Sequence, residues 1–285
     1  MNRWQDDLRK IAARLLDNRE VALVIGWGEG AIPGRTIPVF IDKPEDAALL
    51  VVNSRCENNL SVYIPRMKER GRLAIVAKPC DLRTIVSLIQ EKQVAREDLH
   101  IISFACSGIE DHATGKRRPE CVHCKVNTPP VYDTLIGGEA PIWQEEPSAV
   151  DAIEEFKKAP PERRWEMFQA EMAKCIRCYA CRNACPMCYC DECFVERSLP
   201  RWIGEGIELT DTMIFHITRA LHAAGRCGEC GACSRACPMG VNLGILAVKI
   251  NEDIEKLYHD KAGMDPDKPP AFSTFRPDDY NDFIK

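Results

Sequence analysis

The chain carries one short cysteine pattern twice: Cys175, Cys178, Cys181 and Cys185-Pro186, then Cys227, Cys230, Cys233 and Cys237-Pro238. Each copy reads C-x2-C-x2-C-x3-C-P. That spacing wraps three thiolates around one 4Fe-4S cubane, while the fourth, displaced and followed by proline, points away to the other cluster. The expected ligand sets are therefore interleaved: Cys175, Cys178, Cys181 and Cys237 for cluster 1, and Cys227, Cys230, Cys233 and Cys185 for cluster 2. A pair of zinc knuckles or a disulfide framework is the other chemistry open to clustered cysteines. Zinc sites, however, set their C-x2-C pairs well apart instead of packing four cysteines into so short a run.

The 285 residues are enough for two domains, each with its own core, and 45% apolar with 28% charged residues describe an ordinary globular chain. A net charge of −5 without any Lys/Arg block argues against a nucleic-acid partner. Residues 1 to 10 are polar with no apolar stretch behind them, so no secretory signal is expected. No run is long enough to cross a bilayer. Sixteen cysteines without a signal read as metal ligands in a reducing compartment, so the expected location is the cytoplasm of an organism living without much oxygen.

Periodicity predicts an amphipathic helix over 3–17 and a buried strand over 21–26. Gly26, Gly28 and Gly30 then open a loop with two readings: a cradle for a cofactor phosphate, such as that of a flavin, or a glycine-rich turn into a second strand over 36–41. The G-x-G-x-G spacing lacks the helix N-terminus that a dinucleotide fingerprint needs. Asp42-Lys43-Pro44 predicts a capped helix to Val52, and another helix spans 58–70. Strands over 73–77 and 100–104 flank a helix over 82–92, which implies a right-handed crossover and a parallel pair. Cys80 and Cys106 then sit at the carboxyl edge of that pair, where ligands of α/β sheets gather. The stretch 108–148 is irregular. Helices follow over 149–158 and from Pro160 through Trp165, Phe168 and Met172 into Cys175. Between the motifs a helix over 211–224 has Met213, Ile214, Ile217, Ala220, Leu221 and Ala224 as its apolar positions. A closing helix covers 241–257, and the proline-rich tail from Gly263 has no periodicity.

Helices between the motifs, where a compact ferredoxin would use strands, make this half resemble the α-helical dicluster ferredoxin module of fumarate reductase iron–sulfur subunits and heterodisulfide reductase small subunits. In the N-terminal half, Lys78-Pro79-Cys80-Asp81 looks like the T-P-C-Q turn of coenzyme F-420-reducing hydrogenase β subunits and their formate dehydrogenase relatives. Phe104-Ala105-Cys106-Ser107-Gly108 is similar to their F-C-x-G. Cys121-x2-Cys124 before Tyr132-Asp133-Thr134-Leu135-Ile136-Gly137 resembles their C-x2-C ahead of A-D-I-x-x-G. The resemblance covers roughly residues 72–138, with Asp81 where the family has glutamine and no counterpart to the family's large C-terminal half. It implies a third 4Fe-4S cluster on Cys80, Cys106, Cys121 and Cys124, beside a flavin (FAD). Lys78, Arg83, Arg117 and Arg118 are candidates for the flavin pyrophosphate, with solvated charge as the alternative.

Cys188, Cys190 and Cys193 form a third cysteine run, and with Cys56 they make a candidate set for a fourth cluster. Packing as buried thiols is the alternative, and Cys56 is also a candidate replacement for one of the N-terminal ligands. His123 and His216 are candidates for N–H···S contacts to a cluster, or structural histidines.

The expected architecture is α+β: an α/β domain with a short parallel sheet over 1–150, an all-α dicluster ferredoxin module over 151–262, and an extended arm over 263–285. The expected function is an iron–sulfur electron-transfer subunit of a cytoplasmic anaerobic oxidoreductase complex. It would be a hetero-oligomer whose partners resemble hydrogenase, formate dehydrogenase or heterodisulfide-reductase-like flavoprotein subunits. The alternative is a flavin-containing β subunit that itself reduces or oxidises a soluble carrier such as NAD or F-420. No residue constellation for substrate chemistry is visible.

Overall fold

The computed structural model describes residues 2–112, 114–122, 124–138 and 152–273. Contacts divide the chain into two compact units, one from Met1–Pro147 with Gly263–Lys268 and the other from Ser148–Ala262 with Pro269–Lys285. No helix among the described residues is long and apolar enough to cross a membrane.

The first unit opens with helix α1 (Asn2–Asp17), which buries Leu8, Ala12, Leu15 and Leu16, spaced as one face of a helix. Strand β1 (Leu23–Glu29) follows and runs three residues past its expected end. Gly26 and Gly28 therefore lie inside a strand and not in a loop. A Cβ at Gly26 would meet the Leu50 side chain at 2.3 Å, and one at Gly28 would meet Val39 at 2.6 Å. The glycines admit neighbouring side chains to the sheet, and Gly30 pairs with Arg35 at the hairpin turn into β2 (Thr36–Ile41).

The helix expected up to Val52 is a short 3-10 turn, Pro44–Leu49, without a side-chain cap; β3 (Leu50–Val51) follows and pairs with Trp27 and Gly28. The helix expected over 58–70 is broken into a 3-10 turn at Leu60–Tyr63, a single turn α2 (Ile64–Met67) and a further 3-10 turn, Lys68–Arg70. Asn59 caps its start through the Ser61 amide. Pro65 lacks an amide to continue the hydrogen-bond ladder from the preceding turn, which accounts for the break.

The α/β crossover forms as expected: β4 (Leu73–Ala77), α3 (Pro79–Gln90) and β5 (Leu99–Phe104), with β4 and β5 parallel and Ala77 opposite Ser103. Helix α4 (Pro119–Val122) is one turn, and β6 (Thr134–Ile136) adds a further parallel strand inside the stretch read as irregular. The sheet order is β2-β1-β4-β5-β6, with β3 on β1. Its central strands read as continuous apolar runs, the pattern of a parallel sheet covered on both faces. From the tail, the Asp265 and Lys268 carbonyls accept from Gln90 Nε2, which ties this piece to the end of α3.

The second unit comprises α5 (Ala152–Lys158), α6 (Pro161–Met172), α7 (Ala180–Asn183), α8 (Leu209–His222), α9 (Ala232–Arg235) and α10 (Gly244–Tyr258). The helix expected over 149–158 is described from Ala152; its first residues lie outside the described ones. Its core joins Phe156, Phe168, Met172, Phe215, Val241 and Ile245 with the thiol of Cys181. Helix α8 is turned differently from the sequence reading. Thr212, Phe215 and His216 are buried, while Ile214, Ile217 and Leu221 are exposed, Leu221 at 60%.

Candidate iron–sulfur centres

The two motifs share one backbone signature. In the first, Arg177 and Tyr179, two and four residues after Cys175, take left-handed φ of 50° and 60°; in the second, Glu229 and Gly231, at the same offsets from Cys227, take 56° and 69°. Left-handed residues among right-handed ones turn successive amides inward, making the concavity that recurs at anion and iron–sulfur sites. The amides do turn to sulfur: Arg177 N–H donates to Cys175 Sγ at 3.3 Å, and Glu229 N–H to Cys227 Sγ at 3.4 Å. Each motif then enters a one-turn helix, α7 or α9, that carries its third cysteine, Cys181 or Cys233.

Cys175, Cys178, Cys181 and Cys237 line one cavity with Phe215, His216 and Val241. The first three come from one motif and the last from the other. Val241 N–H donates to Cys237 Sγ at 3.4 Å, and His216 Nε2 lies 3.3 Å from Cys175 Sγ. Facing a thiolate, that nitrogen is the donor. In the companion site, Cys227 interacts electrostatically with Cys230, Cys185 and Cys233. Among the described residues no three His, Cys, Asp or Glu side chains converge on a single metal ion; a cubane, which holds each thiolate at a separate corner, requires no such convergence.

Burial pushes the thiols up, Cys181 to about 11 and Cys227 further, so charging them requires a cation to replace the proton. Cys185 is raised by a hydrogen bond with Cys188 and then by burial, and the same bond lowers Cys188. Burial, then Arg219 and Arg177, lower His216 to about 4, which keeps its ring neutral.

The sequence gives little sign of the arginines here. Arg177, 5% exposed, donates to the Gly204 and Gly206 carbonyls and to Tyr179 Oη. Arg219 donates to the Cys181 carbonyl at 3.2 Å, and its charge helps to lower the Cys188 thiol. Burial opposes its charge, but the sulfurs of Cys233, Cys185, Cys188 and Cys181 hold the guanidinium ionised. The only trace in the sequence is that Thr212, Phe215, His216 and Arg219 recur at i, i+3, i+4 and i+7, one helix face.

In the first unit, Cys80 lies in the first turn of α3 and Cys106 just past β5. Each is three residues beyond the matched pair Ala77 and Ser103, so the strands deliver both to one sheet edge. Cys106 Sγ accepts from Gly108 N–H at 3.3 Å, and Cys121 Sγ from Ile109 N–H at 3.4 Å. Burial raises the Cys106 thiol, and Cys124 adds to the effect. Arg118 holds this loop by ion pairs to Glu57 at 2.7 Å and Asp111 at 3.1 Å. Lys78 Nζ, 1% exposed, meets Asp81 Oδ2 and the Asn58 carbonyl at 2.8 Å each and lies over the Trp27 ring. Its ammonium is engaged within the sheet edge. Cys56 is fully buried in this unit, raised to about 11 by burial, whereas Cys188, Cys190 and Cys193 belong to the other unit. His123 lies outside the described residues.

Residues 171–241 match the family model of a 4Fe-4S dicluster domain. Among curated proteins, the chain is similar to an F420-dependent formate dehydrogenase subunit beta of Methanocaldococcus jannaschii, 23% identical over 92% of each chain. It is also similar to an F420-dependent formate dehydrogenase 1 subunit beta of Methanococcus maripaludis, 22% identical over 90% of each. The likeness therefore extends well beyond residues 72–138.

Proposed function

We propose that this chain, which resembles F420-dependent formate dehydrogenase β subunits over most of its length, is an iron–sulfur electron-transfer subunit of an oxidoreductase complex. The observation that carries this reading is the interleaving of the motifs: Cys237, from the second, lines the cavity made by Cys175, Cys178 and Cys181 of the first. Residues 151–262 act as an α-helical dicluster module with cluster 1 on those four thiols and cluster 2 on Cys227, Cys230, Cys233 and Cys185. Each bound cluster supplies one-electron chemistry whose potential is set by hydrogen bonds, charge and exposure. The protein's contribution is to supply thiolates, aim amides at sulfur and seal the sites with Phe215 and Val241. Ligand sharing between the motifs holds the two clusters within tunnelling distance.

Residues 1–150 hold a third cluster on Cys80, Cys106, Cys121 and Cys124 and extend the relay, while 263–285 serves as an arm. Other redox subunits complete the complex. The exposed side of α8 (Ile214, Ile217, Leu221) is a face for one of them, since apolar surface of this kind marks interaction sites. Cytoplasmic conditions keep the cysteines reduced for cluster loading.

The likeness to β subunits of F420-dependent enzymes favours a second reading, in which the first unit binds FAD and the chain itself exchanges electrons with a soluble carrier such as F-420 or NAD. Iron, sulfide, zinc and flavin analysis of anaerobically purified protein separates these. About twelve iron and twelve sulfide per chain support three clusters, and one FAD with carrier turnover supports the second reading. Zinc in place of iron overturns both.

A further inference from the structure

Helix α8 lies between the two motifs in sequence and turns its less apolar side inward. His216, 3% exposed, places Nε2 at 3.3 Å from Cys175 Sγ, a ligand of cluster 1. One turn on, Arg219 donates from Nη2 to the carbonyl of Cys181, another cluster 1 ligand, at 3.2 Å. The same guanidinium lies within electrostatic reach of Cys185 and Cys233, both ligands of cluster 2. Its Nε is buried without a hydrogen-bond partner. A buried donor left unmade is costly, and a half-buried arginine whose Nε is sealed away from any carboxylate is uncommon. Among the described residues no acidic side chain pairs with Arg219; its counter-charge is sulfur.

Resting on the reading of this module as a two-cluster relay, we propose that Arg219 is a shared potential-setting residue, one fixed positive charge that favours the reduced state of both clusters. The reason is elementary electrostatics. Each cluster with four thiolates gains one negative charge on reduction. A guanidinium that stays protonated at any working pH stabilises that added charge, more so where the surroundings are buried. Because the arginine serves ligands of both clusters, its loss must move both potentials the same way. His216, beside a ligand of cluster 1 alone, must act on one. The burial of Thr212, Phe215 and His216, while Ile214, Ile217 and Leu221 face out, follows from the same demand: the helix aims its polar tips at the clusters.

The test is EPR-monitored redox titration of the full chain, with iron and sulfide analysis, for wild type, Arg219→Gln, Arg219→Lys and His216→Gln. In the wild type, at least two iron–sulfur signals, two of them lost on replacing the C-terminal motif cysteines, establish the two-cluster reading, and their absence defeats that reading and not merely the role of Arg219. With clusters retained, Arg219→Gln is expected to lower both midpoint potentials by at least a tenfold change in the oxidised-to-reduced ratio, 59 mV for one electron. Arg219→Lys should recover most of the shift, and His216→Gln should move cluster 1 alone. If Arg219→Gln loses iron from both clusters, retention of both in Arg219→Lys supports the charge, since lysine keeps charge but not shape. Unchanged potentials in Arg219→Gln, a shift in only one cluster, or loss of iron in Arg219→Lys as well would overturn the proposal.

Discussion

Arg177, Tyr179 and Glu229 hold left-handed backbone that costs a residue with a side chain about 1–2 kcal/mol each. The strain recurs at equal offsets from Cys175 and Cys227, where it turns an amide onto sulfur, so the site, rather than the local sequence, selects it. The repeated C-x2-C-x2-C-x3-C-P spacing was legible, and residues 171–241 match a 4Fe-4S dicluster model. Arg219 was not, since nothing local separates an arginine turned toward cysteines from a solvated one. The interleaved ligand sets predict a crossed outcome. Cys185→Ser should weaken the EPR signal of cluster 2 more than that of cluster 1, and Cys237→Ser should do the reverse, although each serine lies in the other cluster's motif. Loss of each motif's own cluster alone would refute the interleaving. In the first unit, Lys78→Met leaves Asp81 buried and unpaired, which should cost about 3–5 kcal/mol in denaturant unfolding. Lys78→Met with Asp81→Asn should recover part of that loss. A Lys78→Met protein as stable as wild type would show that the pair is not structural.

At the scale of elements, the β4-α3-β5 crossover was readable because apolar runs and a proline-started helix leave few alternatives. Strand β6 was not, since it has only three residues and its register depends on Asp133 more than on hydrophobic pattern. Asp133 accepts from the Ile101 amide at 2.7 Å and from Arg96 at 2.8 Å. Burial opposes its ionisation, but these two donors outweigh burial and hold its carboxyl below the usual range. A depressed folded-state pKa gives stability that is present above the unfolded value near pH 4 and lost as the pH falls through the folded value. Asp133→Asn should therefore be less stable than wild type at neutral pH, with the gap closing below about pH 4. A gap unchanged with pH would mean that the carboxylate charge does not matter there. Helix α8 runs two residues earlier than its expected bounds, and several of its apolar positions face out. Periodicity assigns the apolar stripe to the core, whereas here sulfur draws His216 and Arg219 inward and leaves Ile214 and Ile217 outside.

On the scale of the whole molecule, two units carry cysteines to defined positions by different means: a parallel sheet edge in the first, and paired left-handed turns between helices in the second. The division into a sheet unit and a cysteine-rich unit followed from composition and pattern. The full extent of the family likeness did not, because short motifs are recognisable where diffuse similarity at 23% identity is not. Movement of single electrons through paired clusters can be watched by low-temperature EPR of the anaerobic protein during stepwise reduction. At least two one-electron iron–sulfur signals per chain are expected, arising from the C-terminal motifs and lost together with their iron when a chelator strips the reduced protein. A chain that takes up no electrons and carries zinc on the same cysteines would contradict this expectation.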